Sequence, residues 1–241
     1  MHYAIIAAGQ GSRLAQEGIT LPKPLVRLGG ETMIERLVNI FARNGATAIS
    51  VIVNEEMPEV KTHLESLSPG VPLTVISRTT PGSMHSFYEL SRTIDTEKFC
   101  LTTVDTVFRP NEFARFIEEF VADAGADGYM GVTTYIDDEK PLYVAVSPQE
   151  EITGFLDSPV EGVRFVSGGI YALKRNALEI LSDCMASGLT RMRDFQRALV
   201  AAGLHLKAFQ FEKIVDVDHA ADIKVAKQLS GCEADRVDNS I

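Results

Sequence analysis

Apolar, β-branched runs recur along the first hundred residues: HYAIIAA (2–8), TAISVIV (47–53), PLTVIS (72–77) and KFCLTTV (98–104) each read as a buried strand. Between them, residues 31–44, 57–66 and 83–94 repeat apolar positions at helical intervals. Strands that alternate with helices predict βαβ crossovers, hence a doubly wound, mainly parallel sheet with helices on both faces. The pattern changes past residue 110. GYMGVTTYI (128–136), LYVAVS (142–147), EITGFL (151–156) and VRFVSGGIYAL (163–173) lie close together, with turns supplied by Asp, Pro and Gly. They predict added antiparallel or mixed strands. Helical spacing returns at 174–187 and 191–202, a strand pair comes next in LHLKAFQ (204–210) and KIVDV (213–217), and a helix closes the pattern at 219–230. The fold class expected is α/β, Rossmann-like, with a mixed sheet. It is taken as a single domain over 1–230, with a first half to about 110, a second half from 111 and a polar tail at 231–241.

A chain of 241 residues, 45% of them hydrophobic, is long enough to bury a core. Its longest apolar stretches, Tyr3 to Ala8 and Ile49 to Val53, are far shorter than the roughly 18 to 20 residues of a membrane span. No basic region precedes a long apolar one at the N-terminus, so a cytoplasmic protein is expected. Cys100, Cys184 and Cys232 lie far apart and suggest neither a disulfide framework nor a zinc site. The formal net charge of −10 argues against nucleic acid as a partner, because that binding draws on a basic face. An anionic ligand therefore needs local positive partners.

AAGQGSR (7–13) supplies them directly after the first strand, where open α/β sheets bind phosphate. Gly9 and Gly11 allow close backbone approach and a cradle of N–H groups; Ser12 can cap the next segment, and Arg13 can fork onto phosphate oxygens. Ten residues beyond Arg13, Lys23 stands between Pro22 and Pro24, which limit its backbone. A dinucleotide turn is excluded because Leu14 occupies its third glycine position, and the GxxxxGK[ST] loop is absent.

AIIAAGQGSRL…LPKPLVRLGGETMIERLV resembles the signature of nucleotidyltransferases that join an NTP to a phosphorylated acceptor, among them the sugar-1-phosphate nucleotidyltransferases, the molybdenum-cofactor guanylyltransferase group and the phosphocholine cytidylyltransferases. TTPGSMHSFYEL (79–90), LTTVDT (101–106), FLDSPVEGVRFVSGGIYAL (155–173) and KIVDVDHAADIKVA (213–226) continue the likeness in order along nearly the whole chain. The resemblance implies Mg²⁺-dependent transfer of NMP from an NTP, with release of pyrophosphate. It implies Arg13 and Lys23 as catalytic cations, and nucleotide contacts from Ala7, Ala8, Gly9, Gly11, Ser12, Ser83, His85 and Ser86. It implies Asp105 as one metal ligand. Asp216 and Asp218 are read as alternating along a strand, so that only one of them is expected to face Asp105's side of the sheet; Asp218 is favoured, with Asp216 as the alternative. Asp222 reads as a first-turn carboxylate of the last helix.

Asp157, Ser167 and Gly169 fall where relatives bind the acceptor. Asp157 stands in place of a common Glu, Ser158 in place of a sugar-phosphate lysine and Ser167 in place of a common Asn. The acceptor class is accordingly broad: a sugar phosphate, or a small alcohol phosphate or phosphonate. Tyr135, Tyr143, Phe155 and Tyr171 raise the idea of an aromatic cage for a choline-like cation, against ordinary core packing. His2, His63, His205 and His219 read as surface or core residues. A phosphomonoester, with its second pKa near ~6, is largely a dianion at neutral pH and needs no general base. A glycosyltransferase and a non-catalytic nucleotide sensor are the rival readings; TVDTVF lacks the second aspartate of a DxD motif, and a sensor has no need of both cations and metal ligands. The nucleobase is unread beyond a mild lean to pyrimidine. A homodimer is left open.

Overall fold

The computed structural model describes residues 1–136 and 139–230; the tail 231–241, with Cys232, lies outside the described residues. The first strand, β1 (His2–Ala7), is buried along its whole length. It lies parallel to β4 (Ala48–Val53) and to β6 (Lys98–Thr103), and β4 lies parallel to β5 (Leu73–Ser77), so the parallel core runs β6-β1-β4-β5. Strand order reverses at β1, which opens a crevice between the carboxyl ends of β1 and β6.

The helices in this half are α1 (Ser12–Gln16), α2 (Met33–Arg43), α3 (Pro58–Glu65), α4 (Ser83–Ser91) and α5 (Pro110–Ala122); two short strands, β2 (Arg27–Leu28) and β3 (Glu31–Thr32), form a hairpin before α2. Local chemistry sets the boundaries. Thr32 and Glu35 form a capping box at α2, with the Glu35 N–H donating to Thr32 Oγ1 over 3.2 Å. Pro58 and Pro110 occupy first-turn positions in α3 and α5, where a missing N–H costs nothing.

The second half adds β8 (Gly128–Thr133), β9 (Tyr143–Val146), β10 (Ile152–Leu156) and the long β11 (Phe165–Lys174), then α6 (Ala177–Ala186), α7 (Met192–Ala201) and β12 (Leu206–Gln210). β11 runs antiparallel to β6, β8 and β9, and so ties the added strands onto the parallel core. The expected pairing of the last two strands is corrected here. β12 runs parallel to β8, whereas β13 (Val215–Asp216) pairs antiparallel with β7 (Thr106–Val107), the two-residue strand just past β6. The two runs have apolar patterns that suit a strand, but pattern alone does not name a partner. α8 (Ala220–Leu229) comes after β13 and is capped by Asp222, which accepts from the Asp218 and His219 N–H groups over 3.1 and 2.7 Å.

Alternate residues of β1 feed two cores: Tyr3, Ile5 and Ala7 face one side of the sheet, Ala4 and Ile6 the other. The first core centres on a run of rings. Tyr3 stacks on Phe41 at 4.5 Å, Phe41 on Phe113 at 5.4 Å and Phe113 on Phe108 at 4.9 Å. At the sheet's amino end, His2 is only 3% exposed, and its Nε2 shares a 2.9 Å hydrogen bond with Ser50 Oγ. Burial lowers its pKa below the ordinary value, and the opposing effect of Asp95 does not restore it.

Phe113→Ala removes the central ring of the stack. It is expected to destabilise the fold by about 3–5 kcal/mol, read by urea denaturation; a loss under about 1 kcal/mol would show that the stack is not a core contact. His2 gives a pH test. The folded state favours the neutral ring, so its contribution is complete above the unfolded pKa of about 6.5 and declines as pH falls below it. His2→Gln, which keeps a polar atom toward Ser50, is expected to flatten that decline in denaturation midpoints measured between pH 7 and 5.

Candidate active site

The carboxyl ends of β1, β4 and β6 open into a cleft of about 620 Å³. The turn after β1 forms its floor: Ala8, Gly9, Gln10, Gly11, Ser12 and Arg13 all line it. Gly11 has φ +62°, and a Cβ added there would sit 3.0 Å from the Lys23 Cβ. The glycine therefore allows both the left-handed turn and the close approach of the PKP segment. Gly9 has neither restriction, since a Cβ there would meet nothing within 4 Å.

Lys23 joins two distant parts of the chain at the closed end of the cleft. Its Nζ donates to Asp105 Oδ2 and to Asp218 Oδ1, each over 2.6 Å, and its side chain is only 8% exposed. Asp105 leaves the end of β6, and Asp218 lies just past β13, which the β7–β13 pairing brings to the same edge. Arg13 Nη1 donates to Asp218 Oδ2 over 2.6 Å. Burial lowers the Lys23 pKa, but the charge and hydrogen bond of Asp105, with those of Asp218, outweigh it and leave the ammonium more basic than usual. Burial raises the Asp105 pKa, and Lys23 overcomes this too, holding the carboxylate below its ordinary range. Lys23 is therefore an ammonium and Asp105 a carboxylate at neutral pH.

The structure gives Asp216 and Asp218 different surroundings. Residues two apart on a strand share a face, so alternation cannot separate them, and the strand itself ends at Asp216. Asp216 Oδ1 accepts from Thr106 Oγ1 over 3.2 Å; burial and then the nearby Asp105 charge push its pKa well above the carboxylate range. Asp218 shares Lys23 with Asp105. Two hard oxygen donors already converge on one positive atom, which fits a divalent cation such as Mg²⁺. Among the described residues, no group of three or more His, Cys, Asp or Glu side chains is placed to hold a metal. A cation here would complete its shell with water and ligand oxygens.

The far end of the cleft lies at β4 and the β5–α4 turn, where Asn54, Thr79, Thr80, Pro81, Gly82, Ser83 and Ser86 line it. Ser83 and Ser86 are there as expected. Asn54 was not singled out from the sequence, although it directly follows an apolar strand and so falls on the carboxyl edge. It is 1% exposed, and its Oδ1 accepts from the Glu56 N–H and the Thr79 hydroxyl, each over 2.9 Å. Two further expected contacts lie outside this lining. Ala7 is enclosed within β1, and His85 does not line the cleft; its Nδ1 is buried without a hydrogen-bond partner.

The three residues expected at an acceptor do not meet in one place. Asp157 is 57% exposed and engaged by Arg193 and Arg197, each over 2.7 Å. Ser167 Oγ donates to the buried Gln196 over 2.9 Å. It also borders a second hollow, of about 30 Å³, with Thr133, Tyr135, Gly168, Ile214 and Asp216. Gly169, at φ +71°, brings the backbone against Thr106, whose Oγ1 lies 3.1 Å from where a Cβ would be. The aromatic cage is overturned. Phe155 and Tyr171 belong to one core, Tyr135 packs against the other, and the Lys213 ammonium already lies 3.8 Å from the Tyr135 ring centre.

This chain belongs to the family of MobA-like NTP transferase domains, whose model matches residues 3–168. It is 26% identical over 246 residues to the bifunctional IPC transferase and DIPP synthase of Rubrobacter xylanophilus, a match over 94% of this chain and 51% of that protein. It is 32% identical over 190 residues to the mannose-1-phosphate guanyltransferase of Schizosaccharomyces pombe, over 74% of this chain and 51% of that protein. The chain thus spans about half the length of these curated relatives. Its fold is that of the inositol-1-phosphate CTP transferase from T. maritima, with a TM-score of 0.78 at 18% identity over 95% of this chain and 94% of that one. No helix among the described residues is long and apolar enough to cross a membrane.

Gly11→Ala is expected to destabilise the protein by about 1–2 kcal/mol through its left-handed backbone, with Lys23 pushed aside as well. Gly9→Ala, which meets open space, is expected to stay within about 0.5 kcal/mol of the parent. Urea denaturation of the two variants measures the difference; equal losses would contradict the packing described.

Proposed function

We propose that this chain transfers NMP from an NTP to a phosphorylated small-molecule acceptor and releases pyrophosphate, with Mg²⁺ as cofactor. The observation that supports this most is the convergence of Lys23, Asp105 and Asp218 at one end of a cleft lined by the glycine turn after β1. In this reading the triphosphate lies along residues 8–13, with Arg13 and Lys23 on its oxygens and the loop amides beneath. The base and ribose extend toward Asn54 and Ser83. Asp105 and Asp218 hold Mg²⁺, which offsets phosphate charge when bound. Asp216 stands beside this pair as a reserve ligand, held by Thr106.

The acceptor enters from the side of Ser167 and the small hollow, so that its phosphate or phosphonate oxygen faces the α-phosphorus. The attacking oxygen needs no base, since a phosphomonoester is already largely a dianion at neutral pH. The barrier is the approach of one anion to another. Lys23 and Arg13 lower it by holding both anions in line and by taking up charge on the departing pyrophosphate. The relatives named for inositol-phosphate and mannose-1-phosphate substrates support a polyol or sugar phosphate, and small alcohol phosphates and phosphonates belong to the same chemical class. Both halves of the chain contribute to the site, and we take 1–230 as one catalytic domain. We place the reaction in the cytoplasm, where NTPs are made.

The test is pyrophosphate release from each of four NTPs paired with a panel of sugar, polyol and alcohol phosphates and phosphonates. Release is expected with at least one pair, lost with chelator and restored by Mg²⁺. Lys23→Ala and Asp105→Ala are each expected to lower kcat by about a hundredfold or more while the far-ultraviolet circular dichroism stays unchanged. Release at the parent rate from either variant would remove these residues from the site.

A further inference from the structure

We infer that Lys23 itself fills the cation position between Asp105 and Asp218, so that a divalent metal enters only when nucleotide phosphate draws the ammonium away. This rests on the proposed function for its choice of ligands, and on the geometry of Lys23, Asp105 and Asp218 for the rest. One Nζ meets both carboxylates at 2.6 Å, and the side chain is almost wholly withdrawn from water. A second cation placed between the same two oxygens would lie against the ammonium, where the shielding of bulk water is reduced. With no cluster of three or more metal-ligating side chains among the described residues, protein oxygens alone do little to offset that repulsion.

The exchange requires side chains to move but not the backbone. Asp218 is held at its N–H by Asp222 over 3.1 Å. The residues after it are held from the end of α1: Glu17, just past the helix, accepts from the Ala220 N–H and meets His219 Nδ1, both at 2.6 Å. Lys23 and Arg13 both line the cleft and both grip Asp218. A polyphosphate on the loop therefore competes for the two cations that occupy the carboxylates. Releasing them exposes the metal ligands in the same step. Coupling of this kind is reciprocal: metal must strengthen nucleotide binding by the factor by which nucleotide strengthens metal binding.

Mn²⁺, in place of Mg²⁺, reports binding to nucleotide-free protein by the loss of its free-ion paramagnetic resonance signal. Lys23→Met is expected to bind Mn²⁺ at least tenfold more tightly than the parent. Asp105→Asn added to Lys23→Met is expected to abolish the gain. Lys23→Arg, which keeps the charge, is expected to leave affinity unchanged. Lys23→Gln, which donates to one carboxylate only, is expected to show a smaller gain and serves where the methionine variant does not fold. Mn²⁺ binding to the folded Met or Gln variant no tighter than to the parent would overturn the inference. So would a gain that survives Asp105→Asn. The measurement uses no NTP and no acceptor, so a failure here is separate from a failure to release pyrophosphate.

Discussion

The site depends on one buried ammonium shared by two carboxylates. Lys23 comes from a short 3-10 turn in the first tenth of the chain, Asp105 from just past a central strand and Asp218 from just past the last strand, yet all three meet within hydrogen-bond distance. Charges this enclosed are costly to bring together unless each is paired. The pairing accounts for much of the surrounding construction: two prolines that stiffen the lysine's backbone, a glycine that lets it approach, and a two-residue strand pair that carries Asp218 to the edge of β6.

The fold's division of labour has the same origin. The parallel core β6-β1-β4-β5 reverses its order at β1, and the crevice so formed lies under the glycine loop. β11 attaches the antiparallel strands at β6, so the second half of the chain lies next to Asp105. The first half lines the far end of the cleft with hydroxyl and amide side chains, at Asn54, Thr79, Thr80 and Ser86. At the other end of the cleft this acidic protein gathers two cations, Lys23 and Arg13, each paired with a carboxylate.

Much of this was legible in the sequence because it is local. Apolar runs mark buried strands, and the glycine turn after β1 and the PKP segment are each a few residues long. The first-turn place of Asp222 was readable too, being set by its own helix turn. What was not legible is pairing at a distance. LHLKAFQ and KIVDV both read as strands, but nothing in either says that one joins β8 and the other β7. The same limit hid the two arginines of α7 that engage Asp157. It also grouped Tyr135 with Phe155 and Tyr171, which pack in different cores. Asn54 escaped notice because no short motif contains it, only its place after a strand. Asp216 and Asp218 were distinguishable only once Thr106 and Lys23 were seen to take one each.

We place Lys23, Asp105 and Asp218 at the phosphate and metal end of a nucleotide site. A crystal structure grown with a non-cleavable α,β-methylene NTP and Mn²⁺ tests this placement directly, because anomalous scattering locates the metal. The expected result is Mn²⁺ on Asp105 and Asp218, Lys23 moved onto a phosphate oxygen, and the base beside Asn54 and Ser83. Nucleotide bound elsewhere, or in this cleft with the metal away from both carboxylates, would contradict it.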